Sequence, residues 1–191
     1  MPKKQPQIEP ELADAILGMP QEEKDKLLMR LLRKESTLLE QLRTRFLRSD
    51  SDVVAARDEL LKDMAAMFTH PQFERVNHTP GLIMMTMRDY SGAINRHVKA
   101  TKDKIGEVLL LLKLVETPLT HNLPLLMQER RRSEKFAEYC CRKTQIALGK
   151  LDKLGADHPP ELNVLAQRVL TLLSEYPPTA NRMAEYELPG A

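Results

Sequence analysis

The residues best equipped for chemistry in this chain are five histidines and two cysteines, and their spacing argues against most of it. The histidines are His70, His78, His97, His121 and His158. A di-iron bundle needs Glu-x-x-His motifs on facing helices, and a zincin helix needs His-Glu-x-x-His; the sequence contains neither arrangement. Glu74 and His78 stand four residues apart, but a loop salt bridge is the plainer reading of that pair. Four of the histidines fall in or beside expected loops, where solvation explains them. His97 alone falls on a helix flank, beside an apolar seam. With a nearby carboxylate it would be the one candidate base, although a partly buried, hydrogen-bonded imidazole is the plainer reading.

Cys140 and Cys141 are adjacent, and neighbours on a helix point about 100° apart, so they cannot easily bridge. Cys140 lies on a small-residue seam, where a thiol acts as a small hydrophobe. Cys141 precedes Arg142 and Lys143, and nearby cations lower a thiol pKa, which would make it the reactive one. There is no Gly-x-Ser-x-Gly, no Cys-x-x-Cys and no glycine-rich phosphate loop. The sequence implies no metal and no cofactor, and an enzyme is disfavoured.

Charge is segregated along the chain, although the formal net charge is only +2. Residues 30–48 carry six basic side chains against two acidic, net +4, and residues 117–155 carry eight against four, also net +4. Residues 49–80 and residues 156–191 are each net −3. The near-neutral sum therefore does not exclude an anionic partner. If the helices on either side of residues 117–122 form an antiparallel hairpin, Arg96 falls near Lys143 and Lys99 near Cys140. Arg96, Lys99, Lys102, Arg131, Lys135, Arg142 and Lys143 then form a candidate anion or nucleic-acid face. A solvated helix face is the plainer reading, since no aromatics interleave these cations as stacking platforms. A second candidate surface is apolar. Met84 and Met85 cannot both point the same way as Met87, so one side of that helix start either meets another helix or is an exposed partner surface.

The elements that position these residues read as helices. Aromatics are 4% of the chain, there are seven glycines and no tryptophan, and the dominant residues lose little entropy in a helix. Pro10 starts a short helix that Gly18 ends. Met19-Pro20 opens a long one, in which Leu28, Leu32, Glu35, Leu39, Leu42 and Phe46 step by 4, 3, 4, 3 and 4, an amphipathic pattern flawed at Glu35. Arg30, Arg33 and Lys34 occupy its other face. Ser49 and Asp52 fit a capping box, with Ser51 as rival N-cap, and the helix they open ends at His70-Pro71. A short turn is plausible at 72–76 in the loop that follows. The longest periodic stretch runs from 82 to about 116, with kinks or close approaches at Gly92 and Gly106, and Thr117-Pro118 ends it. The next helix starts near 122–124 and runs to Leu154 along a seam of Ser133, Ala137, Cys140, Thr144 and Ala147. Pro159-Pro160 lead into a last helix, stopped at Tyr176-Pro177-Pro178.

These features predict an all-α protein: a single-domain bundle of about six helices spanning 1–178, mostly antiparallel, with a polar tail, 179–191, that is extended or disordered unless docked. No run reaches the roughly 18 apolar residues of a membrane span, and nothing reads as a signal peptide, so the expected location is cytoplasmic. The expected function is that of a non-catalytic binding or adaptor protein acting through protein–protein contacts, self-association included. The alternative is a nucleic-acid- or ribosome-associated protein that holds phosphate backbones on its basic helix faces.

Overall fold

Leucine-rich periodicity and three side-chain caps shape the chain into helices, and in the computed structural model every regular element among the described residues is helical. The described residues are 9–35, 38–39, 42–43, 49–70, 79–127, 133–155 and 158–189. They form α1 (Pro10–Gly18), α2 (Gln21–Lys34), α3 (Asp50–Thr69), α4 (Pro80–Thr101), α5 (Lys104–His121), α6 (Leu123–Leu126), α7 (Ser133–Leu154), α8 (Glu161–Glu175) and α9 (Pro177–Ala180), followed by a 3₁₀ turn, Ala184–Tyr186. The expected architecture is all-α, and so is the observed one. The helix count differs because one expected helix is two and because two four-residue helices carry no periodic signal. The chain divides into two compact units, Met1–Leu47 and Arg48–Ala191.

The first unit holds α1 and α2. Pro10 sits in the first turn of α1, and α2 has Glu22 and Glu23 in its first turn and Arg33 and Lys34 in its last. That placement suits the helix dipole at both ends. The amphipathic pattern, flawed at Glu35, predicts one helix reaching Phe46. Instead α2 stops at Lys34, and Glu35 takes φ −113°, ψ 87°. Glu35 is the polar flaw in the stripe, so continuing the helix through it offers the least packing. Phe46 lies outside the described residues.

The second unit is built around α5. Eleven of the 18 residues of α5 are buried, including Val108, Leu110, Leu111 and Leu112, as a helix apolar on all sides requires. It packs against α3, α4, α7 and α8. The small seam of α7 is buried along its length, at Ser133, Ala137, Cys140, Thr144 and Ala147, and α7 lies along α5. Ser49 caps α3 as expected: its Oγ accepts from the Asp52 N–H at 3.3 Å, while Asp52 accepts from the Ser49 N–H at 2.9 Å.

Two expectations about breaks are corrected. The stretch 82–116 is not one helix. Lys102 adopts a left-handed conformation, φ 61°, and ends α4, while Asp103 caps α5 by accepting from the Gly106 N–H at 2.7 Å. Of the two expectations for Gly106, a close approach holds and a kink does not. A Cβ there would collide with the Asp103 carboxylate and lie 2.8 Å from Arg57 Cδ, so the glycine makes room for the cap. Pro118, the expected stop, lies inside α5. A proline costs a helix interior about 3 kcal/mol; here it falls in the last turn, where Pro118, Val115 and Leu119 are all buried and offset that cost.

The C-terminal tail is folded rather than extended. Thr179, Met183 and Leu188 are buried in the second unit. Thr179 Oγ1 donates to the carbonyl of Tyr176 at 2.8 Å, Gln145 Nε2 donates to the carbonyl of Tyr186 at 3.0 Å, and Arg182 pairs with Glu134 of α7 at 2.8 Å. The composition of the tail is polar, but Met183 and Leu188 point into the bundle.

Candidate functional site

α4 and α7, expected to share a basic face, do pack together, but by a different geometry. Tyr139 Oη donates to the carbonyl of Met87 and Lys143 Nζ to Ser91 Oγ at 2.6 Å, and each pair is 52 residues apart. A constant difference, rather than a constant sum, means that α4 and α7 run parallel. The break at Lys102 adds one chain reversal, and this turns the expected antiparallel pair into a parallel one. Lys143 therefore lies by Ser91 and not by Arg96, and Lys99 is level with Leu151 rather than with Cys140.

Arg96, Lys99, Lys102, Lys135 and Arg142 are all exposed. Lys143 is not a free surface charge: it is half-buried, bonded to Ser91, and its ammonium lies 5.4 Å from the centre of the Tyr139 ring. Burial, and then the charge of Arg142, push its pKa down. Arg88, which sequence reasoning missed, lies over the same ring at 5.8 Å. Its signal was its place eight residues before Arg96, on the same helix face. Arg131 lies outside the described residues, as do Glu74, His78 and the turn expected at 72–76.

Of the two methionines proposed as a partner surface, Met84 is 8% exposed and belongs to the core. Position 84 faces inward because Met87 and Ser91, one and two turns on, are buried too. Met85 is 58% exposed.

Larger exposed apolar surface lies in the first unit. On α1 and α2, Leu12, Ile16, Leu17, Leu28, Met29 and Leu31 are all exposed, and Leu32 alone is buried. Leu28 is 47% and Leu31 46% exposed. These leucines lie on one side of α2, with Arg30 and Arg33 on the other.

His97 does have a carboxylate beside it. Its Nε2 lies 3.6 Å from Asp103 Oδ2, which is also 3.7 Å from Arg57 Nη1. Asp103 is already the cap of α5, and His97 lines none of the clefts described below. The group reads as a junction of α3, α4 and α5. Both cysteines are buried. Burial pushes the Cys140 thiol up, followed by the neighbouring Cys141. Burial likewise raises Cys141 to about 11, against a smaller opposing effect of Arg182. The lowering expected from Arg142 and Lys143 is overturned, because Arg142 points to solvent and Lys143 toward Ser91.

A cleft of about 390 Å³ lies between α3, α5 and α8. At its floor the buried Glu116 accepts from Lys113 Nζ at 2.7 Å and pairs with Arg168 Nε at 3.0 Å. Lys62 and His121 also line it. The carboxylate neutralises one cation and ties α8 to α5. A cleft of about 190 Å³ is lined by Lys104, Glu107, Lys150, Lys153 and Leu154, with Lys150 and Glu107 paired at 2.9 Å. Among the described residues no three His, Cys, Asp or Glu side chains come together as a metal-binding set, and no helix is long and apolar enough to cross a membrane.

No family model, curated protein or solved structure matches the chain.

Proposed function

We propose that this chain is a non-catalytic protein-binding or adaptor molecule that engages its partners through the helices of its first unit. The observation that carries this reading is the exposed leucine side of α2, with Leu12, Ile16 and Leu17 of α1 exposed as well. Contiguous exposed apolar surface rimmed by charge marks interaction sites, and amphipathic helices dock by anchors spaced three and four residues apart. The second unit, in contrast, buries its own apolar stripes in a core of its own. The test is covalent cross-linking of the lysines flanking these leucines, Lys24, Lys26 and Lys34, in cell extract supplemented with the chain. Cross-links to another protein chain, lost with Leu28→Glu and Leu31→Glu together, are expected. Their absence from the unaltered chain overturns the reading.

A second reading, binding of phosphate backbones, is favoured by the parallel packing of α4 and α7. It sets Arg88, Arg96 and Lys99 beside a helix that carries Lys135 and Arg142. Affinity for duplex RNA or DNA would then fall linearly with the logarithm of salt concentration, and Arg96→Glu with Arg142→Glu would flatten that slope. No binding at low salt disposes of it.

A further inference from the structure

The charge pattern of α2 says which partner suits its leucine side. We propose that α2 pairs antiparallel with α2 of a second copy of this chain, centred near Leu28. The proposal rests on the reading of α2 as a docking helix and adds the occupant and its orientation.

The two ends of the helix carry opposite charge. Its first turns carry Glu22, Glu23 and Asp25, and its last carry Arg30, Arg33 and Lys34. The asymmetry extends beyond the helix: residues 9–26 have six acidic and two basic side chains, net −4, and residues 27–48 have six basic and two acidic, net +4. Two copies of α2 attract when antiparallel and repel, half against half, when parallel.

Side-chain placement sharpens this. At 100° per residue, Glu23 and Lys34 differ by about 20° and share one flank of the leucine stripe. Asp25 and Leu32 border the opposite flank. In an antiparallel pair related by a two-fold axis, each flank faces its own copy. With the axis near residue 28, Glu23 of one copy stands opposite residue 33 of the other, within one residue of Lys34. The symmetry makes this pairing twice. In a parallel pair the flanks face each other crosswise, and Glu23 meets Asp25 at nearly the same level. The two helix dipoles also oppose when antiparallel and reinforce when parallel. Glu23, Asp25 and Lys34 are all exposed, so none must leave a buried partner to pair.

Helices as short as 14 residues are marginal in water on their own. With the axis near residue 28, Leu28 packs on Leu28 of the second copy and each Leu31 falls one turn to either side of that pair, beside Lys24 of the other copy; the flanking charges set the direction, as they do in coiled coils.

The test is the mass of the full chain by light scattering and sedimentation, over a concentration series and at low and high salt. A dimer that weakens with salt is expected. Glu23→Lys alone and Lys34→Glu alone should each weaken dimerisation at least tenfold, and the two together in one chain should restore it, because the exchanged charges pair again across the two-fold axis. Leu28→Glu with Leu31→Glu should leave a monomer. A chain that is monomeric at about 100 µM, or a double reversal no better than either single one, overturns the proposal. If the chain is monomeric while its α2-dependent cross-links to a different protein persist, only this proposal fails. If neither appears, the docking reading fails with it.

Discussion

At the scale of single residues, space and burial outweigh sequence neighbours. Gly106→Ala should destabilise the second unit by about 1–3 kcal/mol in urea unfolding, because its Cβ must displace the carboxylate that caps α5. Gly149 is the control. It lies in α7 with open space where a Cβ would go, so Gly149→Ala should stabilise by about 0.5–1 kcal/mol. The thiols give a pH dependence. Burial raises Cys141 to about 11 in the folded chain, against an ordinary value of 9.0. Above pH 9 the unfolded chain therefore releases the proton first, and folding stability drains away between about pH 9 and 11. Denaturation midpoints measured across that range should fall, and fall less steeply in Cys141→Ala after correction for its lower starting stability. The sequence invited the opposite expectation for Cys141, from Arg142 and Lys143. Adjacency in sequence says nothing of which side of a helix each neighbour takes once packed, and here the thiol went inward.

Among the elements, caps were legible and connections were not. Ser49 and Asp52 could be recognised because a capping box is a local hydrogen-bonding unit three residues long. Asp103 is an equally local cap, but the residue before it, Lys102, is in the left-handed region, where glycine is the usual signal. Nothing about a lysine announces that turn, and missing it changed the parity of every later helix. Docking of the tail was open in the sequence for a related reason. Its composition is polar, and Met183 and Leu188, five residues apart, suffice to anchor it only once a groove exists. Met183→Ala should cost about 2–5 kcal/mol by thermal or urea unfolding, and should expose the backbone amides of residues 177–189 to hydrogen exchange before the rest of the bundle. A tail that exchanges freely in the unaltered chain would contradict its docking.

For the whole molecule, the two units meet different demands. The second closes a core around α5, whereas α2 of the first keeps Leu28 and Leu31 about half exposed. Substituting exposed positions changes stability by roughly 0.5 kcal/mol or less. Leu28→Glu with Leu31→Glu should therefore leave the urea midpoint of the monomeric chain nearly unchanged while abolishing association. A large loss of stability would mean that these leucines support the fold rather than a partner. The near-neutral net charge has the same two-sided character. It is the sum of an acidic and a basic stretch within the first unit and of basic helices and acidic segments beyond it, so it describes no surface that a partner would meet.

By itself the sequence determined the helical class, the amphipathic sides, the capping box at Ser49 and the buried small seam of α7. Each follows from residue spacing and local hydrogen bonding, which act within a few residues. Tertiary structure decided that α4 and α7 run parallel, that Met84 and Cys141 face inward, that Lys143 spends its charge on Ser91 and Tyr139, and that the tail docks. Those outcomes depend on which surfaces meet after the chain reverses, and one left-handed lysine was enough to change them.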